Sequence, residues 1–574
     1  MVLGMYLRTI QRKNRDGSVV RYVQLAHNVW NPDKGYATAQ VIHSFGREDQ
    51  LDRAALERLV ASIARYLGPE TELEVAGRLD PADTTRGELG FCWSKPAGGA
   101  LAADGLWRRF GIDRALKALL ADRRVDERAE RVIFAMVANR LLASDDHKSK
   151  LACLEWAQGD VFLPGVGDLG DDPNVCYRAV DLLLEVEEEL AGLVFDNVAN
   201  LLDLECDLLL FDTTSTFFEI DEADGPEDDP GFRSRGHSKD HRPDLPQVVI
   251  GMAVTRSGIP IRVWCWPGHT GDSPLIRQVK DDLKGWRLHR VVWVADRGFT
   301  SEANRRYLQR GGGHYILGEK LRGGSKEAQA ALKRQGRYRT VRDNLRVKEV
   351  THPLDDGVGR DRFVVCHNPD EAERDKTIRG QIVAQLEQAI AGSDDLSEAK
   401  RSELYGQLST RPTSKRFLRR TKGGKLRIDR AGITADTKLD GKSLLRTSDP
   451  SLTAEDVALG YKQLPLIERG WRSMKQLELR PIFHRLEDRI RAHIILCWLA
   501  LLLLRIAENA TGDTWRNLRR ELQRLHVGGF TGSAGTVIRR TDLTARQAAI
   551  FSALDLKPPP EFLAIATPDE RAIA

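Results

Sequence analysis

The residues best placed to do chemistry are three acids. Asp212 closes the short apolar run Leu208-Leu209-Leu210-Phe211, and Asp296 closes Val291-Val292-Trp293-Val294-Ala295. An acid at the end of a buried apolar strand sits where a sheet opens to a crevice, a usual place for ligands and catalysis. Strand-end aspartates also cap turns, so one alone carries little. Two in one α/β stretch carry more, and Gly298, just after Asp296, suits a tight exit beside a site. The third acid is Glu468, in the stretch Tyr461–Lys475. Seven residues make nearly two helical turns, so on a continuous helix Tyr461, Glu468 and Lys475 share one face. Taken alone, this favours a solvated face with a Glu468–Arg472 ion pair. Taken together, three carboxylates without Cys or His neighbours point to Mg²⁺, with Mn²⁺ as a substitute, rather than to Zn²⁺. Two such ions activate a water or a DNA 3′-hydroxyl and stabilise a leaving oxygen. Lys475 and the nearby arginines would then hold phosphates, and Tyr461 would stack on an unpaired base.

These acids need a sheet and a helix to position them. Leu208–Phe211, Val248–Val254, Ile259–Trp266 and Val291–Ala295 are short apolar runs that suit strands of a sheet covered on both faces, and residues 301–310 look helical. Upstream, Tyr22–Leu25 and Gln40–Ile42 read as strands, with Asp16-Gly17 and Asn31-Pro32-Asp33-Lys34-Gly35 as turn signals. Arg8, Arg12, Lys13, Arg15 and Arg21 make this start basic, and residues 51–67 have helical spacing. Ile112–Leu120, Glu127–Leu142 and Asp181–Leu201 are helical in a stretch of about a hundred residues, either a DNA-binding or dimerisation module or plain packing support. Downstream, Arg339–Val350 and Arg362–Cys366 look like strands, and Pro369–Gly406 contains a long polar helix. Helices are expected from Thr453 to about Leu464 and from Leu466 to about Leu479. Thr453 and Asp456 form a capping-box pattern, and Pro465 separates two helices or kinks one.

Composition removes other classes. Lys+Arg is 87 against 83 Asp+Glu, and 30% of residues are charged against 41% hydrophobic, a globular balance. The apolar run Ile494–Leu504 is shorter than the roughly 20 residues of a membrane span and reads as a buried core helix. The start lacks a secretory h-region. Seven cysteines lie singly with no CxxC pair, which argues against a zinc site or a disulfide framework and suits a reducing cytoplasm. Arg411–Arg430 carries nine basic residues against one acid, Asp429, and is the better DNA candidate. His237, Lys239, His241 and Arg242 form a polar loop that lines a DNA channel or is ordinary surface. The acids Asp221, Glu222, Asp224, Glu227, Asp228 and Asp229 would repel phosphate and read as a solvated excursion. Trp471 reads as a core aromatic, and His493, beside the apolar run, as a satisfied core histidine.

Four blocks carry a family pattern: FDTTSTFFE (Phe211–Glu219); RGHSKDHRPDLPQVVIGMAV (Arg235–Val254), continued by GIPIRVWCWPGHTGD; VADRGF (Val294–Phe299); and YKQLPLIERGWRSMKQLELRPIFHRLEDRIRAHI (Tyr461–Ile494). In this order the chain resembles bacterial insertion-sequence transposases of the DDE class, in the branch called the IS-four superfamily, from residue 5 to about 505. The resemblance implies an α/β fold, an RNase H-like catalytic core with a mostly β insertion domain, preceded by a β-rich N-terminal segment and a helical domain. It assigns Asp212, Asp296 and Glu468 as catalytic metal ligands, for two Mg²⁺ ions. The branch signature is Tyr, two residues, Arg, three residues, Glu, six residues, Lys. Tyr461, Glu468 and Lys475 match it, whereas Leu464 stands at the Arg position. Arg469 or Arg472 is the candidate to replace that phosphate contact. Arg489, Lys239 and Arg297 complete the expected DNA-binding set with Tyr461 and Lys475.

The implied organisation is a β-hairpin plus helix over 1–85, a helical domain over 86–200 and the first part of the core over 201–315. A β-rich insertion with one long helix over 316–452, the second part of the core over 453–515 and a C-terminal tail over 516–574 follow. The implied activity is excision and integration of an insertion sequence. A water cuts double-stranded DNA at terminal inverted repeats, and the freed 3′-hydroxyl attacks target DNA, with a homodimer on the paired ends. A metal-dependent nuclease without strand transfer, or an inactive DNA-binding relative, are the rivals.

Overall fold

The structure is a computed structural model, described for all residues except 1–2, 14–18, 32–35, 68–88, 122–127, 144–148, 205–206, 227, 287, 289, 354–359, 533–534 and 567–574. The turn signals at Asp16-Gly17 and Pro32–Gly35, and Arg15, Cys206 and Glu227, lie outside the described residues. The chain divides into two compact units, Met1–Ala179 with Ile506–Ala574, and Val180–Arg505.

In the first unit, Leu3–Lys13, Val19–Asn31 and Tyr36–Arg47 form an antiparallel three-stranded sheet, followed by the helix Arg53–Leu67. Both expected N-terminal strand segments fall inside these longer strands. Helices Gly98–Arg109, Ile112–Leu120, Ala129–Leu142 and Lys150–Gly159 come next. The described residues of 516–574, expected as a tail, belong to this unit. Strands His526–Gly532, Gly535–Arg540 and Phe562–Ala566 join Gly90–Pro96 in a four-stranded sheet. Their partner strand lies more than four hundred residues away in the chain, where no local pattern reveals it.

The second unit is built on one nine-stranded sheet. Its strands are β1 (Leu208–Phe217), β2 (Gln247–Thr255), β3 (Pro260–Pro267), β4 (Val292–Ala295), β5 (His314–Glu319), β6 (Arg339–Arg342), β7 (Leu345–Pro353), β8 (Arg360–His367) and β9 (Lys442–Thr447). Their spatial order is β6-β7-β8-β9-β5-β4-β1-β2-β3. β1, β2 and β3 run antiparallel in sequence, whereas β1, β4 and β5 are parallel neighbours. β2 is buried along its whole length, because both faces of the sheet are covered. One face packs Leu209, Phe211, Trp293, Ala295 and Leu317 against Phe195, α1 (Leu275–Asp282) and α2 (Glu302–Gln309).

The opposite face carries α3 (Ala454–Tyr461) and α4 (Pro465–Met474). Thr453 and Asp456 close the capping box at the start of α3. Pro465 occupies the first turn of α4, where its missing N–H costs nothing. Of the two outcomes open at Pro465, the chain takes separation into two helices, so Tyr461 and Glu468 lie on different ones. The helix expected over Asp181–Leu201 is divided at Val186 into Asn174–Glu185 and Glu187–Leu202. The long polar helix expected within Pro369–Gly406 is Pro369–Ile390, and a second helix, Glu398–Ser409, follows it. The run Ile494–Leu504 lies in α5 (Glu487–Thr511), a helix long and apolar enough to cross a membrane but with 94% of its most apolar window buried in the protein. The described cysteines are all free.

Candidate active site

β1 continues past Asp212 to Phe217, so this acid stands within a strand rather than at its end. The pairing with β4 stops just before it, since Phe211 is level with Ala295. Asp212 and Asp296 therefore follow at the same level on adjacent parallel strands, and side chains at one level of a sheet point to the same face. Burial is the main cause that pushes the Asp212 carboxyl up to about 6, and Asp296 and Asp272 add to the rise. Lys239 and the Thr213 backbone N–H oppose it.

Lys239 is the cation closest to this acid. Its Nζ donates to Thr213 O and Oγ1, both at 2.6 Å, and lies 3.1 Å from Asp272 and 3.9 Å from Asp212. Asp296 accepts the backbone N–H of Arg297 at 2.5 Å and the Tyr461 hydroxyl at 3.4 Å. Burial and the neighbouring Asp296 push the Tyr461 phenol up. Tyr461 reaches this position across Gly318 of β5, where an added Cβ would sit 2.2 Å from its Oη. A cavity of about 460 Å³ opens beside the pair and is lined by Asp296, Arg297, Lys320, Arg322 and Tyr461 among others.

Glu468 rides on α4. Ile467, Gly470, Trp471 and Met474 form the buried stripe of that helix, and the bare Gly470 approaches Met252 of β2. Met252 pairs directly with Asp212, so α4 covers the face toward which Asp212 points. Glu468 itself is exposed, one residue off the stripe. Among the described residues, no three His, Cys, Asp or Glu side chains gather as a metal cage, and Glu468 forms no ion pair with Arg472.

The expected DNA-binding residues disperse. Arg469 and Arg472 are exposed. Lys475 is tied to Asp240 at 2.8 Å, and Arg489 lies 3.8 Å from Asp181. Arg242 pairs with Asp244 and stacks over Phe217. Trp471 is buried, and His493 is buried with Nε2 3.0 Å from Glu478 O. In the acidic excursion, Asp224 is held by Arg233 at 2.5 Å. Asp240 and Asp272 were not singled out by sequence reasoning. The signal for Asp240 was the opposite-sign neighbour Lys239, and that for Asp272 was its place at the end of the GHTGD turn.

Comparison with known proteins decides the family. A model described as the transposase DDE domain matches residues 211–503, half of the chain, a span that holds Asp212, Asp296 and Glu468. The chain belongs to the DDE transposase family. A second model, the N-terminal domain of IS1634 family transposases, matches residues 7–73. The transposase is also similar to a piggyBac transposase solved by cryo-electron microscopy as a synaptic complex with hairpin DNA. The identity is 12% and the TM-score 0.34, over 76% of this chain and 82% of that one. No curated protein matches it. Membership makes the chain a DNA transposase, an enzyme of metal-dependent DNA cleavage and strand transfer. A divalent cation fits the donor chemistry of Asp212 and Asp296, whose hard carboxylate oxygens stand at one level of adjacent strands, with Asp212 desolvated.

Proposed function

We propose that this transposase excises and integrates its own insertion sequence by cutting double-stranded DNA at terminal inverted repeats and joining the freed 3′-hydroxyl to target DNA. The observation that carries the reading is the pair Asp212 and Asp296, level on adjacent strands with Tyr461 closing over Asp296. Asp212 and Asp296 would hold Mg²⁺, two ions in all, with Glu468 as the third ligand from α4. Bound there, the metal would supply an activated water or 3′-hydroxyl and charge stabilisation for the leaving oxygen. Lys239 keeps the acid pair compensated and stands beside the incoming phosphate. Tyr461 fixes the orientation of the Asp296 carboxylate, while Arg297, Arg469, Arg472, Lys475 and Arg489 contact the DNA backbone.

Three antiparallel strands continuing into two parallel ones, with α1 and α2 packed on one face, support an RNase H-like core. Residues 316–452 are read as the insertion that extends this sheet, and 86–200 as the DNA-binding or dimerisation module. The enzyme acts as a homodimer on paired ends in a bacterial cytoplasm. The test is a cleavage and joining assay on the DNA flanking its own gene, with Mg²⁺ or EDTA. Metal-dependent cuts at an inverted repeat and joined products are expected. Cutting without joining would leave a nuclease, and binding without cutting an inactive relative.

A further inference from the structure

Lys239 and Asp240 are consecutive, opposite in charge, and pull in opposite directions. Lys239 faces Thr213, Asp272 and Asp212, as described above. Asp240, only 13% exposed, accepts from Lys475 Nζ at 2.8 Å and from Arg480 at 2.9 Å. The Arg480 guanidinium also stacks on the ring of Phe217, 5.7 Å from its centre, and Phe217 ends the strand that carries Asp212. Two cations held side by side repel, and one carboxylate between them makes their proximity tolerable. Each spends one donor on Asp240, leaving two on the ammonium and four on the guanidinium. Their side chains stay 22% and 35% exposed, so neither is sealed from solvent.

We propose that Lys475 and Arg480 form one seat for a DNA backbone phosphate, and that Asp240 is the positioning residue that builds it. The proposal rests on the transposase reading above and adds Arg480 and Asp240 to it. The chemistry suits a phosphodiester, because a fork and a point charge converge on one anion.

The test is fluorescence anisotropy of the full chain with a fluorescein-labelled duplex from the DNA flanking its own gene, across a NaCl series. Lys475→Gln and Arg480→Gln should each weaken binding about tenfold, the size of one lost charge-assisted hydrogen bond. Each should lower the slope of log affinity against log salt by about one. Asp240→Asn should also weaken binding, although it removes a negative charge, and Asp240→Glu should restore it. Removal of an acid near DNA ordinarily tightens binding, so the sign separates positioning from bulk charge. Unchanged or tighter binding by Asp240→Asn overturns the positioning role. Unmutated affinity in Arg480→Gln overturns the seat, whether or not Asp240→Asn folds. Absence of salt-dependent binding by the unmutated chain overturns the transposase reading, and this inference with it.

Discussion

Nine Lys and Arg side chains crowd into Arg411–Arg430, whereas Lys239, Lys475 and Arg480 come from two stretches more than two hundred residues apart. In the crowded run most of the charge is answered by acids from the adjoining helices. Arg427 and Lys425 share Asp394 at 2.7 and 3.6 Å, Arg420 meets Glu398 at 3.4 Å, Arg430 meets Glu387 at 3.5 Å, and Arg416 meets Asp436 at 3.1 Å. The dispersed trio is handled differently. Asp240 gathers two of its cations, and the third stands against Asp272 and Asp212. A dense run of charge along the chain is therefore a different object from a convergent charge in space. The first is a surface balanced by its neighbours, the second a directed site.

The largest effect expected from this contrast lies at the acid pair itself. Asp296→Asn should lower metal-dependent cleavage by about 10³-fold, because a carboxylate ligand is worth several kcal/mol to the transition state. Duplex affinity should be kept or improved, since a negative charge has been removed. Cleavage of a labelled DNA end at saturating enzyme, beside anisotropy on the same DNA, measures both. Cleavage surviving in Asp296→Asn would dismantle the directed site.

Next in size is the response to pH and metal. The Asp212 carboxyl is pushed from 3.8 to about 6, first by burial. A folded-state value above the unfolded one means stability that is complete below about pH 3.8 and lost as the pH rises through 6. A cation that binds the ionised pair restores it, by about 2.7 kcal/mol at a hundred times its Kd. The rise in Tm on adding Mn²⁺ should therefore be large at pH 7.5 and shrink toward pH 5, where protons compete for Asp212. An equal rise at both values, or one kept in Asp212→Asn, would contradict the assignment.

A smaller loss is expected where a glycine admits the tyrosine. Gly318→Ala puts a Cβ on the Tyr461 hydroxyl and must push it from Asp296, at a cost of about 1–3 kcal/mol for overpacking. Chemical denaturation should register the loss, and Gly318→Ala combined with Tyr461→Phe should recover part of it. An unchanged midpoint for Gly318→Ala would mean that Tyr461 has room to spare.

Much of the second unit's sheet can be read directly from the chain. Leu208–Phe211, Val248–Val254 and Ile259–Trp266 are apolar because both faces of their strands are covered, and β1 to β3 contain nearly all of them. The end of β1 was hidden because Thr213, Thr214, Ser215 and Thr216 are polar yet buried, paired to β2 along their length. β5 was hidden for a related reason, since its six residues include His314 and Glu319. Asp212 and Asp296 could be found because each ends a run that the sheet buries, and their level pairing is a consequence of parallel register. Glu468 was found by its spacing to Tyr461 and Lys475, but Pro465 and the break before it place Tyr461 on a different helix. The partners of Arg411–Arg430 could not be read, because Glu387 and Glu398 belong to neighbouring helices, and Asp394 to the short turn between them, whose own charge looks ordinary.

The smallest effect should be the most telling in sign. Asp394 holds Arg427 and Lys425, and its carboxyl is lowered from its ordinary value, first through the hydrogen bond from Arg427. These are exposed pairs, and such pairs contribute about 0–1 kcal/mol to stability, so Asp394→Asn should leave Tm nearly unchanged. It would nevertheless release two cations on an exposed surface. Non-specific duplex affinity should then rise by about two- to fivefold, with a steeper salt dependence, because more phosphate charge is neutralised on binding. Asp240→Asn is the same chemical change at the convergent cluster and should move affinity the other way. The two substitutions, measured on one duplex across one salt series, set the two clusters directly against each other. If both tighten binding, Asp240 is only one more neutralising acid. If Asp394→Asn weakens binding, the basic run is itself a built phosphate surface, and the distinction between dense and convergent charge fails from the other side.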